Sequence, residues 1–191
     1  MLMRPMRLFA AGEDGIAALE FALLAPVLLL ILMGTIELPR AYGTSQGLLR
    51  SVRTMADLIS RGSVSTVDDV YAAGAAVTFP YNTTGAGIVL TAVGVYQQGN
   101  TLVAKVCSSV ARNATARTVG SVIGAPPESE QVTGARYVMA ETSFTYTPIF
   151  NIFPALNGLT FARQVAWPLR GTGSAGAAET ILPGGRSCPA A

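Results

Sequence analysis

The run from Ile16 to Ile36, IAALEFALLAPVLLLILMGTI, holds 21 residues and a single charge, Glu20. As an α-helix rising about 1.5 Å per residue it reaches roughly 30 Å, the thickness of a bilayer core. Pro26 does not argue against a span, because transmembrane helices accept proline more readily than soluble ones. The competing reading is a cleavable secretory signal, whose apolar region is shorter and ends in small residues. Met33-Gly34-Thr35 is a poor cleavage match, so a retained helix is expected. Composition agrees: charged residues make up 13% of the chain, against about 25% in ordinary soluble proteins. Flanking charge leaves orientation open. Arg4 and Arg7 precede the run, and Arg40, Arg50, Arg53 and Arg61 follow it, but long C-terminal domains translocate largely regardless of charge.

The same composition excludes several chemistries. The chain has no histidine, which removes Ser-His-Asp and Cys-His catalysis and HExxH zinc sites. Two cysteines, Cys107 and Cys188, cannot build a four-thiolate site within one chain. Schiff-base chemistry would fall to Lys105, the single lysine. A net charge of +2 without a basic block argues against nucleic acid as a partner. Gly43-Thr44-Ser45-Gln46-Gly47 fits G-x-S-x-G, but a nucleophile elbow needs a histidine base. Gly171 to Gly176 fits G-x-G-x-x-G with too little chain after it for a dinucleotide fold. Asp68 and Asp69 read as the first turn of a helix rather than a metal site. No catalytic residue, metal, cofactor or small-molecule substrate is expected.

A lone carboxylate in an apolar run costs roughly 3 kcal/mol on insertion scales, which makes Glu20 a functional candidate. One reading lets it reach water at the membrane interface. The other uses Gly15, five residues upstream and preceded by Glu13-Asp14, Arg4 and Arg7. Cleavage after Gly15 would give Ile16 a free ammonium and place Glu20 fifth in the mature chain. A neighbouring subunit's ammonium could then pair with that carboxylate, neutralising it and setting the axial register of packed helices. The motif Gly15-Ile-Ala-Ala-Leu-Glu20-Phe21, with its charged leader and apolar helix, resembles a type IV prepilin signal. The longer stretch GIAALEFALLAPVLLLILMGTIELPRAY resembles the TadE/TadG-like pseudopilins of tight-adherence (Flp-type) pilus systems.

The resemblance implies a leader over 1–15 removed by a prepilin peptidase and an inner-membrane helix over 16–36. It also implies a cytoplasmic N-terminus, a periplasmic C-terminal domain, and partnership with other pseudopilins and pilus assembly proteins. Glu20 and Phe21 would set subunit register. The alternative is an unprocessed single-pass anchor carrying a periplasmic binding module. One departure stands out. The family often has glycine between its second Glu and Arg, whereas this chain reads Glu37-Leu38-Pro39-Arg40, and Pro39 predicts a kink or break.

Beyond it, Leu48, Val52, Met55, Ala56 and Ile59 recur at helical spacing, predicting an amphipathic helix over 37–62. Its stripe suits packing on its own domain or on a partner helix. Thr66 is placed to cap a second helix ending before Pro80. Ile88–Gln97 and Thr101–Val110 read as a hairpin around Gly99-Asn100, and Tyr137–Thr147 and Thr160–Leu169 as further strands. Ala111–Gly134 reads as a polar loop. The expected fold is α+β, with a domain over 63–170 built on about four antiparallel strands. The Gly/Ala/Pro-rich tail over 171–191 is expected to be mostly unordered. An oxidising compartment would permit a Cys107–Cys188 bond; the other reading leaves Cys107 buried and free.

Overall fold

The computed structural model describes residues 14–61, 66–170, 179–183 and 187–188. The leader ahead of Asp14, Gly62 and most of the tail lie outside the described residues. Helix α1 spans Asp14–Ser60, 47 residues, about 70 Å at the standard rise. Short helix α2 (Val67–Ala76) follows. Then come strands β1 (Gly87–Gln98), β2 (Thr101–Arg112), β3 (Val122–Gly124), β4 (Arg136–Thr145) and β5 (Thr160–Pro168). They form one sheet in the order β3-β2-β1-β4-β5, every neighbouring pair antiparallel.

Local chemistry accounts for most of these elements. The Thr66 hydroxyl accepts a hydrogen bond from the Asp69 amide at 3.2 Å, and Asp68 and Asp69 meet the positive end of the α2 dipole. Gly99 takes φ 61° in the β1–β2 turn, a conformation that glycine enters without steric cost. Side chains then alternate across the sheet. Leu90 pairs with Val110 and Ala140, and Ala140 pairs with Val165. This row packs under Val52, Met55, Ala56 and Ile59 of α1 and Val70 and Tyr71 of α2. Past a register shift at Ala92/Val93, the opposite face gathers Val93, Val95, Ala104, Tyr137 and Met139. On that side Arg117 grips Glu141 through two hydrogen bonds of 2.7 Å.

Gly74 sets how closely α2 approaches α1. A Cβ there would lie 2.7 Å from Met55 Sδ and 3.0 Å from Ser51 Oγ, so only glycine allows this approach.

The α+β arrangement is as expected, and the structure adds detail at three places. The sheet has five strands rather than about four, because β3 lies inside the stretch read as a loop. Three residues are too few to show alternation. They pair with Ala104 and Lys105 of β2, and just ahead of them the Gly120 N–H donates to Val106 O at 2.8 Å. Helix α1 does not break at Pro39; it runs through both Pro26 and Pro39. A proline inside a helix costs a backbone hydrogen bond and crowds the preceding turn, and the contacts made two residues earlier by Glu37 hold α1 to the domain there. Of the tail, most of which lies outside the described residues, 179–183 pack on the domain. Leu182 is buried in the core, its amide donates to Ser108 Oγ at 3.1 Å, and Thr180 donates to Ile59 O at 3.3 Å.

Candidate functional site

Helix α1 has two halves in different surroundings. Its first half buries nothing against the protein: the apolar window, of mean hydropathy 2.6, is entirely uncovered. Leucines 19, 23, 24, 28, 29, 30 and 32 all face outward. Such a surface is stable only in an apolar solvent or against other helices, and the helix is long and apolar enough to cross a membrane.

The expected site residues lie in the first turns of this bare half. Gly15, Ile16, Glu20 and Phe21 are exposed, and Glu20 has no hydrogen-bond or ion-pair partner among the described residues. Ile16 and Glu20 are four apart, so they share a face about 6 Å apart along the axis. No group of three or more His, Cys, Asp or Glu that could hold a metal occurs among the described residues. Within the sheet domain the structure joins Cys107 of β2 to Cys188, their Cα atoms 4.7 Å apart.

The second half of α1 begins where the domain first touches it. Gly34, Glu37, Ala41, Thr44, Leu48, Ser51 and Met55 are buried, alternating by three and four residues, the spacing of one helix face. Glu37 lies on this stripe, fully buried. Its carboxylate accepts hydrogen bonds from the Tyr146 hydroxyl at 2.5 Å, the Ile149 amide at 3.2 Å and the Phe150 amide at 3.3 Å. Burial alone would favour the neutral acid, but these donors and the nearby Arg40 charge hold the carboxyl below the usual carboxylate range. Burial and the bond to Glu37 together push the Tyr146 phenol up to about 12. A buried ionised group with three donors is a rigid joint: it ties the end of the apolar run to the loop between β4 and β5.

One turn and a half further on, Gly43 lets the Tyr81 ring cross directly over the helix, where any Cβ would collide with it. The Arg163 guanidinium of β5 donates to the Ser45 hydroxyl. The domain therefore clasps α1 from its first covered residue onward.

The model of the family described as TadE-like protein matches residues 15–57, from the first exposed turn of α1 into its packed half. Over these residues the chain is similar to that family. Comparison with curated proteins and with solved structures finds no match. The TadE-like segment includes Glu20, all of the apolar run and Glu37, while the sheet lies outside it. A TadE-like segment on a helix able to cross a bilayer fits a membrane protein associated with Tad pilus systems and with their assembly proteins.

Sequence reasoning passed over Glu37, Tyr146 and the two loop amides. In the sequence Glu37 stands out only as part of the family variation around Pro39. The available signal was its place on the three-four stripe between Gly34 and Ala41, where a carboxylate facing a domain core requires donors. Its partners, more than a hundred positions away in sequence, left no local trace.

Proposed function

We propose that this chain is a minor pseudopilin-like subunit that serves assembly of a tight-adherence pilus, cleaved after Gly15 by a prepilin peptidase. The carrying observation is the TadE-like match that starts at Gly15 and covers an uncovered apolar helix whose one charge is Glu20. After cleavage the Ile16 ammonium of one subunit pairs with Glu20 of a neighbour, which neutralises both charges in the apolar phase. The bare leucine surface around them supplies the packing between helices. The chain is held in the inner membrane by Ile16–Ile36, its N-terminus cytoplasmic and its sheet domain periplasmic. The Cys107–Cys188 bond supports that side of the membrane, since disulfides persist in the periplasm and are rare in the cytosol. The role is structural, not enzymatic, in keeping with a chain that lacks histidine.

The test is the N-terminal sequence and intact mass of the chain isolated from its native membranes. A terminus at Ile16 supports the reading. A terminus at Met1 in cells with an active peptidase overturns it and leaves a simple membrane anchor. A cut near Gly34 overturns it too, since the domain would then be released without Glu20.

A further inference from the structure

Two ends of the sheet domain differ in chemistry. Strand β4 runs from Arg136 to Thr145, about 33 Å at the usual strand rise. Beyond its last residue Tyr146 reaches Glu37, the residue that follows the apolar run. The end of the domain that carries the β4–β5 loop is therefore at the level where α1 leaves the membrane. The opposite end carries Gln97, Gln98, Asn100, Glu128 and Glu130, the composition of a solvated surface.

The β4–β5 loop is different. From Tyr146 to Thr160 it contains no charged residue and reads YTPIFNIFPALNGLT. Ile149, Ile152 and Leu159 are 58%, 41% and 39% exposed, a costly arrangement in water for three large apolar side chains on one loop. Its height along α1 is set by contacts. The Ile149 and Phe150 amides bond Glu37, and Phe153 Cζ lies 3.5 Å from where a Gly34 Cβ would be. Gly34 is inside the apolar run, two residues short of its end. Phe153 therefore sits level with the last turn of the span, and Ile36 and Leu38 of α1 are exposed at the same height. The backbone of the loop is tied off in part by turn bonds such as Leu156 N–H to Phe153 O at 3.0 Å, which lowers the cost of entering an apolar phase.

We propose that the loop around Ile149, Ile152 and Phe153 is a second membrane contact, its apolar side chains inserted among the lipids at the outer edge of the bilayer. The occupant of this surface is lipid because the loop is bonded to Glu37 at the end of the membrane helix and sets Phe153 against Gly34, inside the apolar run. Interfacial apolar elements of this kind sit about 5–10 Å into the headgroup boundary. With two contacts, α1 and the loop, the domain is held against the membrane at a fixed tilt, and its polar end faces away. The inference rests on the reading of Ile16–Ile36 as the span.

The full chain in phosphatidylcholine vesicles with brominated acyl chains provides the test. Tryptophan is placed singly at Leu29 in the apolar run, at Ile152 in the loop and at Val132 near the polar end, all three exposed. The parent signal of Trp167, the single native tryptophan, is subtracted. Severalfold stronger quenching of I152W than of V132W, approaching that of L29W, supports the proposal. Strong quenching of L29W with I152W no different from V132W overturns it and leaves the span intact. An I152W signal shielded from both bromolipid and aqueous acrylamide also overturns it, since protein would then cover the loop. Absence of L29W quenching removes the span reading, and the proposal with it.

Discussion

One helix contains two regions with the same secondary structure and opposite requirements. Over 16–33 α1 buries no side chain against the rest of the described protein, and its apolar composition suits a phase in which backbone groups must bond internally. From Gly34 to Ser60 it is one wall of a water-exposed domain, held by buried side chains, the Glu37 joint and the Tyr81 crossing. A carboxylate shows the difference best. Glu20 in the bare half has no partner within the described residues and is available to a second subunit. Glu37 in the packed half is fully buried, its donors all supplied by its own domain. Availability, not residue type, separates a candidate assembly residue from a structural one.

Substitutions that unfold the packed half while leaving the bare half helical sharpen the contrast, and their effects can be ranked by unfolding the full chain in detergent micelles. Replacing both Cys107 and Cys188 by serine releases a loop of 81 residues and should cost about 4 kcal/mol by the chain-entropy model. Glu37→Ala strands the Tyr146 hydroxyl and two amides without an acceptor. It should cost about 3 kcal/mol and speed hydrogen exchange at Ile149 and Phe150. If exchange there is unchanged, Glu37 is not the joint.

Gly74→Val drives a side chain into Met55, which is fully buried, and should cost about 2 kcal/mol through overpacking. In all three variants the circular dichroism of the bare half should persist after the domain has melted. Its simultaneous loss would mean that the two halves fold as one unit.

Alkaline pH gives a smaller effect with a definite sign. Tyr146 is raised from 10.0 to about 12 in the folded chain, so the folded state holds that proton more tightly than the unfolded one. The resulting stability is complete below pH 10 and is lost as pH rises through 12. Difference titration of tyrosinate absorbance between the parent and Tyr146→Phe should show the missing step at about 12. Smallest for the domain is Glu20→Gln, expected to change unfolding by less than about 0.5 kcal/mol while abolishing pilus assembly and sparing leader cleavage. Normal assembly by that variant would remove Glu20 from the register role.

Much of the architecture was legible locally. The apolar run, the Thr66 cap, the Gly99 turn and the alternation of β1, β2, β4 and β5 are short-range signals carried by residue type and spacing. Strand β3 was not, since a three-residue edge strand exists only because β2 offers it unpaired backbone groups. Pro39 carried a real local preference against helix, overridden by what surrounds it. Of the candidate site residues, Glu20 stands out in the sequence because it is the one charge within an apolar run.

Residue type and spacing are enough to place the apolar run, α2 and the four long strands, and to pick out the carboxylate within that run. Tertiary structure alone decided that α1 stays unbroken past Pro39, that Glu37 finds three donors, and that the apolar β4–β5 loop sits level with the end of the span. The physical reason is distance along the chain. Burial patterns repeat every few residues and are written locally, whereas the Glu37 joint closes a separation of 109 residues to Tyr146 and comes into being only when the sheet has brought β4 back to the helix.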